Sequence, residues 1–292
     1  MTPRTLILIL SLAIFWGPAF MFMKMALDSF QPITIAALRV TLAAGALFLV
    51  LRLRGTPIKP YLKYWKHFAV MGFFASAFPF CLFPAAELYI PSSLAGIING
   101  STPIFTAILA HYFAAERFTV RKILGILVGI IGMLLIFIPD LFDAEFSSEK
   151  GILLATIASI SYAIGMVYAK RHLKSLPFLI APTFQLIFAA IYAVPFSLIV
   201  DQSLTMPMPT MRSIGAILGL GFISTAVTFT LYYTLIREAG ASYLSMSTLL
   251  FPIVAITLGY IFLDETLAWY SFAGAALIIS GLFISSPFLR KP

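Results

Sequence analysis

Two prolines 149 positions apart, Pro103 and Pro252, each follow a polar residue four positions back, Asn99 and Thr248. A proline inside a helix has no N–H to give to the carbonyl four residues earlier. The spacing therefore predicts, twice over, a free backbone carbonyl beside a polar side chain. Such a pair can bind a small solute reversibly, and it has none of the groups that break covalent bonds. Ala95, Asn99, Thr102 and Thr106 share a helix face around the first proline; Leu244, Thr248, Phe251 and Ala255 share one around the second, with Ser245 on the adjoining strip. Ser76 with Phe80 and Thr225 with Phe229 recur at the same offset, and Trp16 and Tyr162 supply two large aromatic walls. An apolar, aromatic-lined pocket with a few polar groups suits an amphipathic solute. The expected binding set is thus Trp16, Ser76, Phe80, Asn99, Thr102, Tyr162, Thr225, Phe229, Ser245 and Thr248.

A second set is expected to bend or brace the chain. Gly17-Pro18, Pro103 and Pro252 are the candidate bending points. Glu116 and Glu265 close their apolar runs and read as hinge or turn residues. Arg39 lies eight positions in from Gln31, about 12 Å deep at 1.5 Å per residue, too costly to leave unpaired. A structural role is expected, through an outer acid such as Glu87 or through helix-end carbonyls, with attraction of a substrate carboxylate as the alternative.

Other chemistry is unsupported. No His, Cys and acid cluster has metal-ligand spacing, no carboxylates face each other along a helix, and no phosphate-cradling loop precedes a Lys and Ser/Thr, so no metal, cofactor or ATP drive is expected and the chain does not read as an enzyme. His67, His111 and His172 lie near run ends, and the acids lie at loops or helix ends, Glu87 being the one ambiguous case. The expected energetics are facilitated diffusion or exchange rather than obligatory proton coupling.

These residues need a membrane scaffold. The 292-residue chain is 61% apolar and 10% charged, with a mean hydropathy of +1.02, which excludes soluble, secreted disulfide-rich and disordered classes. Its single cysteine, Cys81, has no internal partner. Apolar runs near 4–25, 31–51, 67–87, 91–113, 121–138, 151–170, 178–200, 213–236, 241–263 and 268–287 predict ten transmembrane helices, because about 20 residues cross a hydrocarbon core. They lack the alternation of a transmembrane barrel. If the connecting loops alternate between two sides, 15 of the 19 basic residues fall on the side of the N-terminus and 3 on the other. Both termini are therefore expected in the cytoplasm. The net charge of +8 is thereby sorted by topology, and no nucleic-acid partner is implied.

The chain also repeats. A shift of 149 aligns 72–135 with 221–284 without a gap, pairing Gly72 with Gly221, Pro103 with Pro252, Glu116 with Glu265 and Gly132 with Gly281; a shift of 146 pairs Trp16 with Tyr162. Five helices per copy force the second copy upside down. The expected organisation is a first five-helix repeat at 1–138, an acidic external linker at 139–150 and an inverted repeat at 151–292. Both halves lie in one chain, so a monomer suffices.

The stretches "SSLAGIINGSTPIFTAILAHYFAAERFTVRKILGILVGIIGMLLI" and "MSTLLFPIVAITLGYIFLDETLAWYSFAGAALIISGLFI", with "LAIFWGPAFMFMKMAL" and "QPITIAALRVTLAAGALFLVL", resemble the EamA-type drug/metabolite transporter superfamily, and within it the bacterial aromatic amino acid exporter branch. The resemblance covers nearly the whole chain. It implies a ten-helix basket with a central cavity opening alternately to each side of the bacterial inner membrane, for efflux of amino acids and other small metabolites. Two departures stand out: Gln185 occupies the second copy's place for Arg39, and Pro79 and Pro84 have no counterparts. A lipid or polyprenyl-linked carrier on the same fold and cationic drug efflux are the alternatives. The absence of a membrane-embedded carboxylate favours amino acids over cations.

Overall fold

The computed structural model describes residues 3–113, 119–137, 147–173, 176–177, 179–239 and 241–285. They contain helices and no strand. In chain order these are α1 (Pro3–Trp16), α2 (Pro18–Ala26), α3 (Pro32–Leu53), α4 (Trp65–Gly72), α5 (Phe78–Glu87), α6 (Ser92–Gly100), α7 (Thr102–Phe113), α8 (Val120–Phe137), α9 (Ser147–His172), α10 (Ile180–Val200), α11 (Met211–Leu218), α12 (Thr228–Ala239), α13 (Ala241–Leu263) and α14 (Trp269–Ser285). Among the described residues seven helical stretches are long and apolar enough to cross a membrane, and shorter apolar helices run over Ile123–Gly132, Ile253–Leu263 and Trp269–Gly281. Large apolar side chains such as Leu53, Ile131 and Ile199 are exposed, as a lipid-facing exterior requires.

Several spans are broken, each for a local reason. Gly17 separates α1 from α2, where Pro18 opens the new helix; a Cβ at Gly17 would run into the side chain of Val254, so α13 crosses where only glycine fits. Between α4 and α5 the backbone loosens into a π-helical segment, Phe73–Ala77, and between α11 and α12 into another, Gly219–Val227. The 149-residue shift carries the first segment into the second. Such widened turns expose backbone groups and gather at functional positions.

The proline motif behaves differently in the two copies. Span 4 is broken at Ser101, between α6 and α7, whereas α13 runs unbroken through Pro252. In the first copy the hydroxyls of Ser101 and Thr102 donate to the carbonyls of Ile98 (2.6 Å) and Asn99 (2.7 Å), satisfying acceptors that the break releases. Their counterparts are Leu250 and Phe251, which have no hydroxyl to offer.

Glycines set the closest helix approaches. A Cβ at Gly132 would meet Gly274 Cα-adjacent carbonyl oxygen, and one at Gly281 would meet the backbone of Gly125 and Gly129, so α8 and α14 touch backbone to backbone. Gly96 packs against Ala255, joining α6 to α13.

Acids and a lysine from elsewhere finish the helix ends. Asp201 accepts from the N–H (2.7 Å) and hydroxyl (2.9 Å) of Thr34 in the first turn of α3. Glu265 accepts from the N–H groups of Ser92 (2.7 Å) and Ser93 (3.0 Å) and from the Ser93 hydroxyl, at the start of α6. Lys24 donates to the carbonyl of Glu87 at the end of α5. Anions at N-termini and cations at C-termini complement the helix dipole.

Candidate functional site

The site grows from the two π-helical segments. Each presents a buried hydroxyl, Ser76 in the first and Thr225 in the second. Each hydroxyl meets the polar residue of the other copy's second span: Arg39 Nε donates to Thr225 Oγ1 at 2.9 Å, and Gln185 Nε2 donates to Ser76 Oγ at 2.8 Å. Arg39 with Gln185 and Ser76 with Thr225 are repeat-related, so one contact is the pseudo-symmetric image of the other. Glycine permits the close packing on both sides, since a Cβ at Gly72 would strike α10 at Gln185 and Phe188, and one at Gly221 would strike Leu42 of α3.

Aromatic groups follow the same symmetry. Tyr162 stacks on Phe83, 5.7 Å between centroids, and meets Phe80 edge-on at 6.0 Å. Trp16 meets Phe229 at 6.2 Å and Tyr232 at 6.0 Å, the repeat counterparts of Phe80 and Phe83. Among the described residues these form two triads rather than one ring, and Phe251 extends the second, 5.3 Å from Trp16. Of the ten expected binding residues, Ser76, Phe80, Asn99, Thr102, Thr225 and Phe229 are buried, and Trp16 and Tyr162 are partly buried against the apolar core.

Several expectations change. The Asn99 carbonyl is not free for a solute, because the Thr102 hydroxyl takes it. Thr106 likewise returns its hydroxyl to the carbonyl of Thr102, 2.9 Å away. Arg39 reaches neither Glu87 nor a helix-end carbonyl, and Glu87, though at the end of its helix, is fully buried, so a carboxylate is enclosed in the protein after all. Arg39 bonds Thr225, lies 3.8 Å from Met23 Sδ, and sets its guanidinium 3.6 Å above the centre of the Phe80 ring, a cation–π arrangement. Glu265 follows the end of α13, its N–H donating to the carbonyl of Gly259 (3.1 Å), and its carboxylate also caps α6. Glu116, and the side chains of Ser245, Thr248 and Pro252, lie outside the described residues. Sequence reading missed Gln185 as a site residue. Its signal was present, since it occupies the place of Arg39, but the pairing partners emerge only when the inverted copies interlock.

At the outer end predicted from the charge sorting, a cleft of about 320 Å³ is lined in part by Lys24, Asp28, Arg212, Asp264 and Glu265. Arg212 and Asp28 form an ion pair at 3.5 Å across it. Among the described residues no group of three His, Cys, Asp or Glu could hold a metal ion.

An EamA-like transporter family model matches the sequence twice, over residues 3–138 and 149–286. The chain belongs to the EamA-like transporter family. Similar proteins include the "Probable amino-acid metabolite efflux pump" of Escherichia coli, 29% identical over 96% of this chain and 93% of that protein. The "Uncharacterized transporter YcxC" of Bacillus subtilis is 30% identical over 94% of this chain and 90% of its own length. A solved crystal structure shares the fold, with a TM-score of 0.70 at 16% identity over 98% of this chain and 97% of that one. This EamA-family protein is thus a multi-pass membrane transporter.

Proposed function

We propose that this protein exports amino acids, aromatic or other neutral ones, and related small metabolites across the bacterial inner membrane. All ten apolar stretches cross the bilayer as two inverted five-helix repeats, 1–138 and 151–292, joined by the external linker 139–150, with both termini in the cytoplasm and the chain acting as a monomer. The solute occupies a central cavity bordered by Trp16, Ser76, Phe80, Asn99, Thr102, Tyr162, Thr225, Phe229, Ser245 and Thr248. Rocking of one repeat against the other opens that cavity to each side in turn, as facilitated diffusion or exchange.

The observation that carries this reading is the reciprocal contact of Arg39 with Thr225 and Gln185 with Ser76. It ties the two copies together through polar groups within the spans, where polar groups in a membrane protein mark solute pathways. The double family match supports the repeat, and full-length similarity to a protein named as an efflux pump supports the substrate class. Counterflow in proteoliposomes across the neutral amino acids tests it. We expect exchange of at least one aromatic amino acid without an imposed pH gradient. Exchange of none would sink the amino-acid reading, and uptake that needs the gradient would sink the uncoupled one.

A further inference from the structure

Two ionisable groups are enclosed in the first copy without an opposite charge in contact. Arg39 is 2% exposed, and its partners Thr225, Met23 and the Phe80 ring are neutral. Glu87 is 0% exposed, and neither carboxylate oxygen has a hydrogen-bond partner. Lys24 is close to it but donates to backbone carbonyls, those of Glu87 and Ile90. Arg39 lies near enough to Glu87 to interact with it electrostatically, as Lys24 and Glu265 also do, yet no ion pair joins any of them to its carboxylate. Buried ionisable groups with no direct ion-pair partner are expensive, and a solute carrying both complementary charges would satisfy both at once.

The face of α5 between the two groups has a suitable length and composition. Phe80, beneath the guanidinium, and Glu87 are seven residues apart on α5, about 10 Å along the axis and on one face. Phe83 lies on the same face between them, and Tyr162 of α9 stacks across it. The carboxylate and ammonium of an α-amino acid sit on one carbon. With charge-assisted bonds of about 2.7–2.9 Å at each end, that unit bridges a comparable distance. We propose that Arg39 and Glu87 are the charged anchors of the solute site, Arg39 taking the carboxylate and Glu87 the ammonium of a zwitterion whose side chain lies against Phe80, Phe83 and Tyr162. The second copy has Gln185 and Ile236 in the corresponding places, so the anchors belong to the first copy alone, while Thr225 and Tyr162 bring in the second. Above Glu87 the Lys24 and Glu265 side chains also line the outer cleft, which gives the bound zwitterion a route of release.

This proposal rests on the amino-acid reading and adds the recognition rule. The test uses proteoliposomes of the full chain loaded with the amino acid that wild type exchanges fastest. Three external probes compete: that amino acid, its carboxamide and its deaminated acid. Wild type is expected to prefer the zwitterion over each single-charge analogue by about tenfold or more, the scale of one charge-assisted bond. Arg39→Gln, which installs the side chain that the second copy already uses to bond Ser76, is expected to abolish discrimination against the carboxamide but keep it against the deaminated acid. Glu87→Gln is expected to do the reverse. Should either variant not be recovered folded, ligand-induced thermal stabilisation of wild type by the same three probes decides, together with Arg39→Lys and Glu87→Asp. Equal stabilisation by all three, or variants that lose rate while keeping the wild-type preferences, overturns the proposal. Absence of exchange for every amino acid instead overturns the function on which it rests.

Discussion

At the scale of the residue, the charged side chains at the helix ends and in the spans divide by what they touch. Asp201 and Glu265 sit on helix N-termini, and Lys24 sits on a C-terminus; Arg39 and Glu87 sit on nothing of opposite charge. The first group is expected to act on stability. Replacing Glu265 by Gln weakens three bonds at the start of α6, a loss of about 1–2 kcal/mol, read as a lower thermal unfolding midpoint in detergent; an unchanged midpoint would show that the cap contributes nothing. Sequence reading identified Arg39 as deep and isolated because charge is rare in these runs. It misassigned the partner because Thr225 is 186 positions away and is brought near only by the interlocking of inverted halves. The capping role of Glu265 was hidden for the same reason, since its recipients lie 172 positions or more upstream.

At the scale of the element, the helix positions were legible and their interruptions only partly so. Apolar runs predicted the helices closely, because nothing else satisfies backbone groups in a bilayer. Gly17-Pro18 was a visible bend. The two π-helical segments left no sign in composition, although they fall in the aligned block where Ser76 matches Thr225. The proline motif was read as equivalent in both copies. The difference came from its neighbours, Ser101 and Thr102 against Leu250 and Phe251, whose hydroxyls decide whether a break is tolerated. Glycine spacing also gains a measurable meaning. Gly281→Val would force side-chain atoms against the backbone of α8, which cannot yield as a flexible side chain does, at a cost of about 1–3 kcal/mol or more. Gly45→Ala, where a Cβ would meet nothing within 4 Å, is expected to stay within about 0.5 kcal/mol. Parallel thermal denaturation of the two variants separates packing from helix propensity; equal effects would refute the close α8–α14 contact.

At the scale of the whole molecule, charge sorting and inversion predict one orientation. In a Cys81→Ala background, Lys150→Cys is expected to react with a membrane-impermeant maleimide added outside intact cells, and Lys63→Cys only after the membrane is opened. Labelling of both from outside would reject the topology. The all-helical, membrane-crossing character and the repeat were readable because long uncharged apolar runs and a self-match at a shift of 149 residues leave few arrangements. The interior was less so, since which polar groups meet there depends on how two inverted copies cross, and no local pattern encodes that crossing.

The copies are related but unequal, with Gln185 at the position corresponding to Arg39 and Ile236 at the position corresponding to Glu87. A carrier built this way grips its solute differently when loaded from one side than from the other. Without an energy source in the proposed cycle, however, such lopsided grip cannot choose a net direction; it only sets the concentration at which each side saturates. On the proposed cycle flow would follow the gradient, and in a cell that accumulates amino acids such a protein would act as an overflow valve, its threshold set by the copy that carries Arg39 and Glu87.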